Sequence, residues 1–102
     1  MMEDKGYIKF KGKESQGAMH YILFNGKHVS ITLSDSRKIK HIKEEGKIGI
    51  ALDLRSREFE DMVVTVVEDK SYAQEVFNFM SGINHCHYSE YDERLVVIEY
   101  PN

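Results

Sequence analysis

The chain has 102 residues, with 14 Lys and Arg against 17 Asp and Glu for a formal net charge of −3, five His, one Cys, one Pro and no Trp. One domain over residues 1–102 is expected at this length; a lone Cys excludes an internal disulfide and any Cys-rich zinc site, and the mildly acidic total argues against generic nucleic-acid affinity. No apolar run approaches the ~18 residues of a membrane span, and the polar start Met1-Met2-Glu3-Asp4-Lys5 has no signal-peptide core, so the expectation is a cytoplasmic globular protein away from membranes.

Residues 6–11 alternate, with Ile8 and Phe10 on one face, and read as a half-buried strand. Residues 13–17 form a polar turn, and 19–24 (MHYILF) a second strand. Asn25-Gly26 follows, a strong hairpin signal because both residues accept positive φ, and 28–32 (HVSIT) is the return strand. Residues 34–45 change period: Ile39 and Ile42 lie on one side among Arg37, Lys38, Lys40 and Lys43, and Gly46 is placed to end a short helix. Residues 47–55 alternate again. Ile48, Ile50, Leu52 and Leu54 form the expected core face, and Gly49, Ala51 and Asp53 a small face that something could approach closely. Residues 61–67 (DMVVTVV) read as a strand buried on both faces. A second helix starts at Ser71, with Gln74 placed for a capping box, and ends at Gly82; its core stripe is Tyr72, Ala73, Val76, Phe77 and Met80. Residues 83–92 are irregular, and 94–100 (RLVVIEY) make the last strand before Pro101. The order β β β α β β α β predicts a mainly β protein with two helices, a six-stranded antiparallel barrel. A ferredoxin-like sandwich competes, but its order lacks the N-terminal hairpin.

The stretch Thr32-Leu33-Ser34-Asp35-Ser36-Arg37-Lys38 joins a strand to a helix. Ser34, Asp35 or Ser36 can each cap the helix start. Arg37 and Lys38 then fall in the first turn, where the helix already carries about half a positive charge, at a cost of roughly 0.3–1 kcal/mol per cation. Exposed amides, hydroxyls and two cations together make a phosphate cradle; the plainer alternative is a solvated basic helix face.

Residues 28–51, with Thr32, Ser36, Arg37 and Lys38 at the junction, resemble the pyridoxamine 5′-phosphate oxidase-like, FMN-binding split β-barrel superfamily. There a strand ending in Thr leads into a Ser-Arg-Lys or Ser-x-Lys helix start, followed by a turn and a strand of small and aliphatic residues. The Val-rich segment 62–67, the helix 71–80 and the closing VVIEYP continue the resemblance. It implies a homodimer with FMN at the subunit interface and flavin-dependent oxidoreductase chemistry on an unknown small-molecule substrate. It implies that Arg37 and Lys38 hold the 5′-phosphate, with Ser36 as a further donor, and that Thr32 and the backbone around Ile31 and Leu33 lie along the ribityl chain and ring edge. His20 is the nearest counterpart of a basic residue that the family often places on an earlier strand. The short general-stress-protein and nitroimidazole-reductase-like members are closer in kind than the oxidase itself, whose C-terminal extension has no counterpart here. Gly49 and Ala51 would suit the close approach of a flat ring or a partner barrel.

Other readings are weaker. His85-Cys86-His87 on an extended segment would point both imidazoles one way, but a metal needs further ligands; a polar loop beside Tyr88 and Tyr91 is the simpler account, and no metal is expected. Cys86 as a nucleophile would need a base held beside it by geometry, and the sequence shows none. A non-enzymatic small-barrel module is the main alternative, binding another phosphate-bearing ligand or a single nucleic-acid strand along 37–43 (RKIKHIK).

Overall fold

The computed structural model describes residues 2–101. Strands β1 (Lys5–Lys11), β2 (Gln16–Phe24) and β3 (Lys27–Leu33) form the first meander. Asn25 and Gly26, at φ 50° and 80°, make the tight β2–β3 turn, as their side chains predict. Helix α1 (Arg37–Glu45) ends at Gly46, whose φ of 75° lets its N–H reach the Ile42 carbonyl. Strands β4 (Lys47–Ala51), β5 (Glu60–Val63) and β6 (Thr65–Val67), helix α2 (Lys70–Gly82) and strand β7 (Leu95–Glu99) complete the chain.

All strand pairs are antiparallel, in the order β5-β4-β1-β2-β3-β7-β6. Strands β5 and β6 stand at opposite ends of that order, yet only Val64 separates them in sequence. One residue cannot bridge the width of a flat seven-stranded sheet, so the sheet rolls round until its ends meet. The interior of this barrel holds Ile8, Phe10, Ile48, Ile50 and Ile98, and Ile39 and Ile42 of α1 are buried against them. A second core lies outside the barrel wall, where Ala73, Val76, Phe77 and Met80 of α2 pack with Ile22, Val29, Ile31 and Val97. Strand β7 serves both cores, Val96 and Ile98 facing one and Leu95 and Val97 the other, and is therefore apolar on both sides.

Five expectations are corrected. The barrel has seven strands rather than six, because the 61–67 segment breaks at Val64, which turns inward at the corner between β5 and β6. That segment is not buried on both faces: Val63 is 70% exposed at the sheet end, where no further strand covers it. The alternation of 47–55 outlasts its strand, since β1 pairs with β4 only as far as Ala51, leaving Leu52 and Leu54 exposed at 41% and 46%. The cap of α2 is Asp69, whose carboxylate accepts the Tyr72 N–H, and not a Ser71/Gln74 box. The close approach at Gly49 is made by the chain itself: a Cβ there would meet the Lys11 carbonyl at 3.0 Å and the Phe59 Cβ at 3.2 Å.

Candidate anion-binding site

Strands β2 and β3 are paired only near their hairpin, with Ile22, Leu23 and Phe24 opposite Val29, His28 and Lys27. Beyond Val29 strand β3 turns its hydrogen bonds to β7, while β2 keeps its partner β1. Where the ladder stops, a side chain takes over. The Ser30 hydroxyl donates to the His20 carbonyl at 2.6 Å and accepts from the buried Tyr100 hydroxyl at 2.8 Å. Past this latch a cavity of about 100 Å³ opens between the two strands. Ala18, Met19 and His20 line it from β2, Ile31 and Thr32 from β3, Lys38 from α1, and Met80 with His87 and Tyr88 from the far side.

Two hydroxyls, one in the cavity lining and one beside it, lack partners among the described residues. Thr32 is 1% exposed, and its Oγ1 is buried with no hydrogen bond. Ser36 stands at the N-cap of α1, yet its hydroxyl makes no capping bond and is likewise buried and unpaired. The first intrahelical bond of α1 runs from the Lys40 N–H to the Ser36 carbonyl, so the amides of residues 37–39 precede it. Lys38 is half-buried, and its ammonium lies 5.1 Å from the centre of the Phe10 ring. No carboxylate among the described residues pairs with it, and burial alone pulls its pKa below the ordinary lysine value. A partly desolvated cation without a counter-ion, beside two orphaned hydroxyls and the positive mouth of a helix, is costly in isolation; an anion would satisfy all of them.

Three imidazoles close the other side. His20 faces Tyr7 across the β1–β2 register, the rings 4.7 Å apart. His85 is buried against both, 4.6 Å from His20, and its Nε2–H donates to the Gly6 carbonyl at 2.9 Å. His87 stands 6.4 Å from His20 and reaches the cavity. Desolvation first, then the proximity of His85 and His87, lowers the His20 pKa below the ordinary histidine value. The cavity lining carries no Asp or Glu. Asp35 beside the helix start is engaged by Arg94 at 3.1 Å, and Asp92 holds the same guanidinium at 2.8 Å.

Of the residues singled out in the sequence, Ile31, Thr32 and Lys38 line one cavity. Ser36 and Leu33 are partly buried beside it, and Arg37 is exposed and outside the lining. His20 and His87 join the lining, whereas sequence order gives no reason for strand β2 and the 83–94 loop to meet. A larger open cleft, about 920 Å³, lies elsewhere, between Asp53, Glu58, Glu60 and Asp61, where a phosphate would be repelled. Among the described residues no group of three His, Cys, Asp or Glu is arranged to hold a metal ion, and no helix is long and apolar enough to cross a membrane.

Three solved structures match nearly the whole chain. General stress protein 26 from Bacillus anthracis superposes with a TM-score of 0.61 at 14% identity, over 98% of this chain and 80% of that one. A NimC/NimA family protein from Clostridium acetobutylicum gives 0.57 at 11% identity, over 95% and 73%. A candidate pyridoxamine 5′-phosphate oxidase from Listeria innocua gives 0.56 at 12% identity, over 97% and 83%. The chain has the split β-barrel fold. Identities this low carry the fold alone. No protein-family model and no curated protein sequence matches the chain.

Proposed function

We propose that this split barrel binds FMN through its 5′-phosphate, held in the cavity between β2 and β3 by Thr32, Ser36, Lys38 and the amides opening α1. The observation that carries this reading is that Thr32, whose buried Oγ1 has no partner, lines the same cavity as the unpaired Lys38. About 100 Å³ corresponds to roughly three water-sized groups, enough for a phosphate and far too little for a three-ring flavin. The ring system would therefore lie outside the cavity, with the backbone around Ile31 and Leu33 along its edge, on open surface shared with a second protomer. Exposed Leu52, Leu54 and Val63 are consistent with a homodimer, since they leave apolar side chains uncovered on one chain. Bound there, FMN would supply oxidoreductase chemistry toward a small-molecule substrate, while the chain supplies position and charge.

Arg37, exposed at the first helical position, would reach a phosphate only from the rim. The test is a titration of the purified protein with FMN and with riboflavin, which lacks the phosphate, followed by flavin absorption and fluorescence. FMN should bind and colour the protein yellow, and riboflavin should bind far more weakly. The double variant Arg37→Ala/Lys38→Ala should lose FMN retention and keep its fold. A colourless protein that takes up no added FMN overturns the assignment. Anion binding without reductant-dependent turnover would instead favour a non-enzymatic module on the same fold, which the small volume of the cavity also accommodates.

A further inference from the structure

We propose that His20 and His87 form a proton-accepting wall of the β2–β3 cavity, so that the protein captures a dianionic phosphate together with a proton. This rests on reading the cavity as a phosphate pocket and adds what that reading leaves open, namely the charge state it selects and its dependence on pH.

The argument starts from charge. A phosphomonoester above about pH 6 is largely a dianion. Of the lining residues only Lys38 is a fixed cation, and the lining contains no carboxylate. One lysine leaves a dianion half neutralised in a partly desolvated site, and the groups able to supply the missing charge are imidazoles. The groups facing His20 are Tyr7 from β1, Lys38 across the cavity from α1, and His85 and His87 from the loop before β7. None is an acid that would hold a proton on His20 in the empty protein, and burial with its imidazole neighbours disfavours that proton. A bound dianion reverses the balance, because opposite charge at contact distance favours the protonated ring. His85 behind it donates Nε2–H to the Gly6 carbonyl, which fixes its tautomer and keeps it a structural support. The His20 ring is packed against those of Tyr7 and His85, at 4.7 and 4.6 Å, which limits its freedom to swing from the cavity.

The sign follows from linkage. The complex binds more protons than the free protein, so affinity falls as pH rises. Between about pH 7 and pH 8 the phosphate of FMN stays dianionic, so the change reports the protein alone. The dissociation constant for FMN should rise by about tenfold across that unit if one proton is taken up. Calorimetry in buffers of different ionisation enthalpy should register uptake of about one proton. His20→Gln and His87→Gln should flatten the pH dependence, weakening FMN binding more at pH 7 than at pH 8, whereas Lys38→Gln should weaken binding at both and leave the slope. Sulfate, a dianion throughout this range, is the parallel probe through its effect on thermal stability. Sulfate stabilisation that fades with rising pH, without FMN uptake, would sustain the proton-coupled pocket and remove the flavin reading. FMN binding with no pH dependence and no proton uptake would overturn the proposal and leave the flavin reading standing. Absence of any effect from either ligand would remove both.

Discussion

Thr32→Val tests the site where function and stability pull in opposite directions. Valine reproduces the shape of threonine and lacks only the hydroxyl, and that hydroxyl is buried without a partner. An unsatisfied polar group of this kind costs about 1–3 kcal/mol relative to an apolar one of the same shape. The ligand-free variant should therefore be more stable than the parent by about 1 kcal/mol or more, which in a domain of this size raises Tm by about 4–8 °C per kcal/mol. The same change removes a donor to a charged ligand, a loss of roughly 1.5–3 kcal/mol, so FMN should bind about tenfold or more weakly. Thermal unfolding followed by circular dichroism, with and without FMN, reads both effects in one experiment. Saturating FMN should raise the Tm of the parent more than that of the variant. A variant that melts below the parent and binds FMN undiminished would refute the reasoning, because Thr32 would then have an internal partner and no part in the pocket.

Three further outcomes follow from the same structure. Ser30→Ala strands both the Tyr100 hydroxyl and the His20 carbonyl and should cost roughly 1–3 kcal/mol for each, against roughly 0.5–1.5 kcal/mol for Tyr100→Phe, which leaves the Ser30–His20 bond in place; urea unfolding of the two single variants and the double should show less than additive loss. The Arg94 side chain and amide hold the Asp92 carboxyl down at about 2, below its unfolded value, so its stabilisation is complete above about pH 4 and is lost as pH falls toward 2; Asp92→Asn should flatten that stretch of the stability–pH curve. Gly46→Ala places a Cβ in a left-handed C-cap and should lower stability by about 1 kcal/mol in the same urea assay.

The features legible in the sequence are those decided within a few residues. Asn25-Gly26 and Gly46 announce positive φ by their own chemistry, and the structure has it at all three. The core stripe of α2 follows from helical spacing, and both faces of β7 from its unbroken apolar run. Features decided by closure of the sheet were not legible. Nothing near Val64 marks it as a corner; it becomes one because β5 and β6 meet partners at opposite ends of the sheet. Leu52 and Leu54 continue an alternation, but the β1–β4 ladder ends at the Lys9–Ala51 pair and the chain bends away from β1 at residues 52–55. The site divides in the same way. Thr32 and Lys38 stand six residues apart at one strand–helix junction and could be read together, while His20 and His87 meet only because the loop after α2 returns over the outer face of β2. Two signals were available: the i, i+2 spacing of His85 and His87, which suggested a shared target without naming it, and the resemblance that singled out His20.

The barrel is open at this place for a physical reason. A β2–β3 ladder continued past Ile22 and Val29 would set His20 opposite Ile31 and Met19 opposite Thr32, extending the register of the hairpin. Closing it would gain hydrogen bonds worth about 0.5–1.5 kcal/mol each. It would also press Thr32 Oγ1, the His20 ring and the Lys38 ammonium into a space with no counter-charge, at a cost of several kcal/mol for the cation alone. The strands part after the hairpin, and Ser30 spans the gap with its side chain. With Val at position 32 and Leu at positions 20 and 38, the opposition would vanish and the seam could zip shut. Leaving the seam open spares these polar residues burial without a counter-charge, and the same residues are the ones proposed to bind an anion.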